Sequence, residues 1–343
     1  MDSRSRAIGQ IRAAPDCERG DCSKESVLQD SGAIKELPPG LIFVVFCLLL
    51  AGRDAFSHFL LVQAVDPVFM LTVYCISASV VAWVFRMVRT RSIEFRSAFR
   101  RLTGEQKLTF VKLGLATWTV YAVTVFGIKA LGATVFNAVD YGSMPILTLF
   151  AGIIMFRERL AWYQGVGAAI SMLGIALFLT APSEILLSSS WRLWILVALL
   201  SPIFTSLSSG YQKRQIDQGL HPDEVLLFRF PLPALLMIVW MLIEQPEVSW
   251  TSVPALAAIS IGGLFLPLWL LCFAFMKSSL SRFSMFLFLV PIFTFVLGPL
   301  LVEGEWEKLT SWPILGGILV VLTGYASFSR FWRPTPERSD SQG

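Results

Sequence analysis

The residues of this sequence that could do chemistry are polar and ionisable side chains inside long apolar stretches. They are Arg53, Asp54 and His58 in the first stretch, Asn137, Asp140 and Tyr141 in a later one, and Arg229 in a third. A charged side chain at the bilayer centre costs about 2.5–3.5 kcal/mol on insertion scales, so it normally faces a cavity or a partner. An arginine here would bind a substrate carboxylate or phosphate, and Asp140 would titrate or pair. The pattern predicts a central polar binding site.

The same residues also have a structural interpretation, in which ion pairs such as Arg53 with Asp140 fix the packing of helices. Arg229 has a further alternative, because a long side chain near a helix end can extend to the cytosolic interface. Asp54 and His58 are four residues apart and share a helix face, whereas Arg53 lies about 100° away. His58 is open to three interpretations: a proton relay, a hydrogen-bonded packing residue or part of a pore lining.

Two tryptophans, Trp118 and Trp269, lie deep inside apolar stretches and either wall a cavity or pack in the core. Asp54 and His58 have too few neighbouring ligands for a metal site. The sequence contains no Gly-rich loop ending in Lys-Ser or Lys-Thr, so we do not expect ATP-driven transport. We therefore expect no cofactor, and no feature predicts a nucleic-acid partner. The expected partners are a small-molecule substrate, the lipid bilayer, and protons or a counter-solute.

Composition determines the elements that must position these residues. Of the 343 residues, 55% are hydrophobic and 15% charged, against roughly 25% charged in soluble domains. Runs of about twenty apolar residues, each long enough to cross a bilayer, recur along the chain. The sequence predicts an all-α integral membrane protein. Its ten transmembrane helices are predicted at 40–62, 68–88, 109–130, 133–156, 162–181, 192–212, 223–243, 254–275, 282–302 and 313–331.

The distribution of positive charge supports this helix count. Cytosolic loops of membrane proteins carry an excess of Lys and Arg. With the N-terminus in the cytosol, only Lys129, Arg192 and Lys308 of the 28 Lys and Arg fall on the outer side, and Arg53 and Arg229 fall within the membrane. The pattern therefore predicts that both termini are cytosolic.

A repeated pattern divides the chain into two copies of one unit. Pro145, Thr148 and Gly152 have the same spacing as Pro291, Thr294 and Gly298. Ten helices give five per copy, and an odd number inverts the second copy relative to the first. We expect a disordered cytosolic tail at 1–39, five-helix repeats at 40–181 and 192–331, and a cytosolic tail at 332–343.

The ten-helix plan and the run from Pro145 through Phe156-Arg157-Glu158-Arg159-Leu160 to Gly167 and Gly174 resemble the drug/metabolite transporter superfamily, specifically its EamA-type members. Ala51-Gly52-Arg53-Asp54-Ala55-Phe56 is similar to the opening Trp-Gly-x-x-Phe pattern of that family, without the Trp. Leu227-Phe228-Arg229-Phe230 is similar to its Arg-Phe segment. Alignment of Pro67 with Pro222 places Tyr74 where the second copy has Arg229, so the first copy departs from the pattern there.

The resemblance implies a secondary transporter that exports small metabolites or amino acids, driven by an ion or solute gradient, in a bacterial inner membrane. An antiporter of phosphorylated or nucleotide-linked solutes is the main alternative. Paired cavity arginines favour this alternative, whereas the absence of lysines inside the last two predicted helices disfavours it. A membrane enzyme with His58 and Asp54 as acid and base, and a non-transporting assembly or sensor protein, are the remaining alternatives.

Overall fold

The computed structural model describes residues 38–90, 99–156, 166, 169–170, 173–174, 177, 190–278, 280, 283, 286–287, 289–303, 316 and 319. Residues 1–37 of the predicted tail 1–39 lie outside the described residues, as do the predicted tail 332–343 and most of the predicted helices 162–181 and 313–331. Within the described part of the chain, the regular elements are all helices. This part also contains six spans long and apolar enough to cross a membrane: Pro39–Val62, Pro67–Arg89, Gly104–Leu131, Arg192–Asp217, Pro222–Glu244 and Trp250–Lys277.

Within the described residues of the first half, the structure has four long helices whose ends follow local sequence signals. They are α1 (Pro39–Val62), α2 (Pro67–Thr90), α3 (Gly104–Leu131) and α4 (Ala133–Phe156). Proline is tolerated in a first helical turn, where its missing N–H has no partner, and α1 and α2 each begin with one. Thr103 and Gln106 form a capping box at the start of α3. Gly132, with φ of 81°, ends α3 and separates it from α4.

The second half is more interrupted than the sequence predicts. The predicted helix 192–212 forms α5 (Trp191–Ala198) and α6 (Ser201–Asp217), and the predicted helix 223–243 forms α7 (Pro222–Arg229) and α8 (Pro231–Glu244). Proline removes the i→i−4 hydrogen bond of a helix. Pro202 therefore cannot donate to Ala198, and Pro231 cannot donate to Leu227. Each pair of helices nevertheless lies within one membrane span, Arg192–Asp217 and Pro222–Glu244, so the breaks fall inside the predicted helices 192–212 and 223–243.

A π-helical turn interrupts the next predicted helix, 254–275. The observed elements are α9 (Val253–Ser260), the π-turn (Ile261–Phe265) and α10 (Leu266–Lys277). Pro267 has no N–H to donate to the Gly263 carbonyl, so the regular pattern fails at this point. The last described helix, α11 (Leu289–Leu301), occupies the second half of the predicted helix 282–302 and contains Pro299.

Helices from the two halves of the chain pack against one another rather than forming separate bodies. Helix α1 packs against α10 and α11, and α3 packs against α6. Helices α4 and α11 carry the two copies of the repeated pattern. Each packs on a helix of the other half of the chain, α4 on α6 and α11 on α1. The polar residues of α1, α3, α4, α6 and α7 consequently meet at the centre of the molecule.

Candidate substrate-binding site

Arg53 and Asp54 form a buried ion pair on α1. The Arg53 Nη2 atom lies 2.6 Å from Asp54 Oδ1, and the Arg53 Nε atom donates to the same oxygen at 2.8 Å. The Arg53 guanidinium also lies over the Tyr121 ring of α3, with 5.9 Å from Cζ to the ring centroid. Arg53 therefore pairs with its chain neighbour. The alternative ion pair with Asp140 is not formed.

Tyr74 of α2 reaches this pair through a serine. The Tyr74 hydroxyl lies 2.9 Å from Ser57 Oγ, and Ser57 Oγ also donates to the Arg53 carbonyl oxygen at 2.7 Å. Both side chains are buried. A small pocket of about 10 Å³ beside them is lined by Arg53, Asp54, Ser57, Tyr74 and Tyr121. Tyr74 thus lies near the predicted site, next to the α1 ion pair.

Asn137 connects α4 to α11. Its Nδ2 atom donates to Thr294 Oγ1 at 2.9 Å, and Thr294 Oγ1 in turn donates to the Val290 carbonyl oxygen at 2.8 Å. On the other side, the Asn137 amide lies beside the Asp54 carboxylate. These bonds link three helices through one buried amide, which fixes where the α1 carboxylate lies relative to α4.

Asp140 lies one turn beyond Asn137 and is 3% exposed. Its side chain is close to the Ser201 hydroxyl at the start of α6, and its Oδ1 atom has no hydrogen-bond partner within the described part of the chain. Tyr141 follows it and is also buried. Asp140 has no ion pair with any described cation, so it is a buried carboxylate available to a ligand.

Arg229 is the last residue of α7, immediately before the break at Pro231. Its Nη2 atom donates to Ser208 Oγ at 2.7 Å, and its Nη1 atom donates to Gln212 Oε1. The Gln212 side chain is itself fixed by α10, because its Nε2 atom donates to the Leu268 carbonyl oxygen at 3.2 Å. Arg229 is only 5% exposed. The alternative in which Arg229 extends to the cytosolic interface is therefore wrong.

Four of the predicted site residues, Arg53, Asp140, Tyr141 and Arg229, line a small central cavity of about 50 Å³. Its polar lining consists of Arg53, Tyr121, Thr124, Asp140, Tyr141, Thr205, Ser208, Ser209 and Arg229. Since a water molecule needs about 10–15 Å³ of such volume, the cavity has room for a few waters. Any larger solute requires the helices to separate. We refer to this space as the central cavity.

Three predicted site residues lie elsewhere. His58 is buried on α1 but does not line the central cavity. Trp118 donates from Nε1 to the Met237 sulfur at 3.2 Å and packs against Trp240 of α8. Trp269 donates to Asp223 Oδ1 at 3.2 Å, near the start of α7. The prediction that both tryptophans belong to the site is not supported, because neither lines the cavity.

The structure also brings to the site five residues that were not predicted from the sequence: Ser57, Tyr121, Ser208, Gln212 and Thr294. A signal for two of them was present. The run Ser206-Leu207-Ser208-Ser209, followed by Gln212, places polar side chains inside a predicted membrane span. Polar residues in membrane helices commonly hydrogen-bond across helices.

The fold and the buried charges define a multi-pass helical membrane protein. The EamA-like transporter family matches residues 38–180 and again residues 192–328. The chain therefore belongs to the EamA-like transporter family, within the drug/metabolite transporter superfamily.

No curated protein sequence matches the chain. Among 21 matching chains of solved structures, one crystal structure is 16% identical with a TM-score of 0.63, covering 85% of this chain and 97% of that chain. This likeness indicates the same fold and carries no information about the solute.

Proposed function

We propose that the chain is a gradient-coupled secondary transporter that exports small metabolites or amino acids by alternating access. Its ten helices would form two inverted five-helix repeats with both termini in the cytosol, in a bacterial inner membrane. Family membership supports transport rather than enzymatic catalysis. The observation that carries the proposal is that a buried carboxyl group, Asp140, and a buried guanidinium group, Arg229, both line one small cavity.

The lining of the central cavity suits a zwitterionic solute, because it contains both a guanidinium and a carboxyl group. Arg229 has hydrogen-bond partners that are neutral, Ser208 and Gln212, so its positive charge is available to a carboxylate. The Asp140 carboxylate would accept hydrogen bonds from the ammonium group of the same solute. The proposed site also includes Arg53, Asp54, Asn137 and Tyr141. Tyr74 belongs to it as the residue next to the Arg53–Asp54 ion pair.

The small volume of the cavity supports alternating access. A space of about 50 Å³ cannot hold a metabolite, so binding requires helices of the two halves to separate. The breaks after Ala198 and Arg229 and the π-turn provide irregular backbone at the centre, which transporter folds use at their binding sites.

The proposal is tested by flux in vesicles reconstituted with the purified protein. We expect Asp140→Asn to abolish the flux of a transported amino acid while expression and folding are retained. The matched control is Asp217→Asn, which removes a carboxylate from an exposed pair with Lys213 within α6. Unchanged flux in Asp140→Asn would remove this residue from the mechanism.

A second candidate function is exchange of phosphorylated or nucleotide-linked solutes. It is favoured by one observation: two arginines, Arg53 and Arg229, line the same cavity. An obligate antiporter transports only with solute on both sides of the membrane. Uptake that depends on preloading the vesicles with a phosphorylated solute would support this function over gradient-coupled export.

A further inference from the structure

A large apolar groove lies on the outside of α1, at the level of the central charges. It has a volume of about 540 Å³ and is lined by residues of α1, α9, the π-turn and α11, among them Leu48, Gly52, Phe56, Ile259, Gly262 and Leu297. Leu48 and Phe56 are exposed, 45% and 46% respectively. Because they belong to an apolar membrane span, this surface faces the bilayer. We call it the lateral groove.

Arg53 belongs to the lining of both the lateral groove and the central cavity. Its guanidinium lies on the cavity side, bonded to Asp54 and stacked over Tyr121. Its aliphatic part lies against Gly263 of the π-turn. The Arg53 side chain is therefore part of the wall that separates the bilayer from the central cavity.

Three glycines, Gly52, Gly262 and Gly263, lie on the groove side of this wall. A Cβ atom placed on Gly52 or on Gly262 would meet no atom within 4 Å, so both positions border open space. A Cβ atom on Gly263 would instead collide with the Arg53 side chain. The π-turn that carries the last two glycines is a rare element found frequently at functional sites. Among the residues that line the lateral groove, Arg53 is the one that also lines the central cavity.

We propose that the lateral groove is an entrance from the bilayer to the central cavity for amphipathic anions. The apolar tail lies in the groove, and the anionic group binds Arg53. Apolar lining favours the tail, and a guanidinium forms strong charge-assisted bonds with a carboxylate or phosphate. The inference rests on the proposed transport function and adds to its solutes a class that partitions into the membrane.

The test uses a medium-chain fatty acid with a diazirine on its tail, added to the full-length protein in lipid nanodiscs. Irradiation is followed by mass spectrometry of the labelled peptides. We expect labelling of residues 48–56 and 255–263, with the free acid labelling several-fold more than its methyl ester. Gly52→Leu and Gly262→Leu add side chains to the groove at positions where a Cβ atom meets nothing within 4 Å, and they should abolish this labelling.

Gly104→Leu is the matched control, because Gly104 also borders open space but lies at the start of α3, away from the groove. Labelling in this variant should equal that of the unchanged protein. Equal labelling by the acid and the ester would mean that ordinary lipid fills the groove, and would overturn the proposal. Labelling that persists in the two filled variants would overturn it as well.

Amino-acid flux measured in vesicles with the same variants separates this inference from the proposed function. Normal flux without groove labelling would reject the entrance and leave transport intact. Groove labelling without flux of any tested solute would retain the lipid-facing binding site and reject the transport function.

Discussion

At the scale of single residues, the two central arginines differ in how their charge is compensated. Arg53 is paired with Asp54, whereas Arg229 forms no ion pair within the described part of the chain and donates to Ser208 and Gln212. Burying a charge among neutral dipoles is costly unless a ligand or counter-charge is available. Arg229 is therefore the better candidate to bind the anionic group of a solute.

We expect Arg229→Ala to weaken the binding of carboxylate solutes by about tenfold or more, because a hydrogen bond to a charged group contributes about 1.5–3 kcal/mol. The measurement is a thermal-shift screen of detergent-purified protein against amino acids, nucleotides, phosphorylated sugars and cationic drugs. Lys129→Ala, at the exposed C-terminal end of α3, is the control. A carboxylate solute that stabilises the variant as much as the parent would place the anion elsewhere.

Two threonines at equivalent positions of the repeated pattern provide a matched pair. Thr294 accepts from Asn137 at 2.9 Å, and Thr148 shares a 2.9 Å hydrogen bond with Ser206. Thr294→Val leaves a buried amide N–H without its acceptor, so we expect a loss of about 1–3 kcal/mol in unfolding free energy. Thr148→Val leaves only a hydroxyl, which can rotate to another acceptor, and should cost less.

The check is thermal unfolding of both variants in the same detergent, with a double-mutant cycle of Thr294→Val and Asn137→Ala. Additive losses in the cycle would show that the two side chains do not act as a pair. Equal losses for Thr148→Val and Thr294→Val would contradict the distinction between the amide and the hydroxyl.

At the scale of elements, the π-turn packs against Arg53 through one of its two adjacent glycines. A Cβ atom on Gly263 would collide with the Arg53 side chain, whereas Gly262 borders open space. We expect Gly263→Ala to lower the unfolding free energy by about 1–3 kcal/mol through overpacking, and Gly262→Ala to have little effect. Thermal unfolding of the two variants tests this. Equal melting temperatures would mean that Arg53 relaxes without cost.

Much of the first half could be predicted from the sequence, because its helix ends carry strong local signals such as Pro39, Pro67 and Gly132. The interruptions of the second half were missed, although Pro202 and Pro231 were visible. Hydropathy averages over a whole span and does not respond to one lost hydrogen bond. A sequence pattern also cannot show which partner a buried charge takes, since Arg53 pairs with Asp54 through packing between α1 and its neighbours.

At the scale of the whole molecule, ion pairs join the two halves at the end predicted to be cytosolic. Arg89 of α2 bonds to Asp223 of α7 at 2.8 Å, and Arg86 bonds to Glu224 at 3.0 Å. Asp223 is only 3% exposed and also accepts from Trp269 of α10. Because alternating access requires the halves to separate at each end in turn, these pairs would stabilise the state in which this end is closed.

We therefore expect Asp223→Asn to shift the population toward a conformation open at this end. Loss of a partly exposed pair is worth up to about 1 kcal/mol, which corresponds to about fivefold in population. The measurement is the rate at which a hydrophilic thiol reagent, applied from the cytosolic side, modifies Thr205→Cys on the cavity lining. The chain without Thr205→Cys provides the blank, and Asp217→Asn, which removes a pair within one helix, is the control. A rate that rises equally in both carboxylate variants would indicate a general charge effect, and an unchanged rate in Asp223→Asn would mean that other contacts keep this end closed.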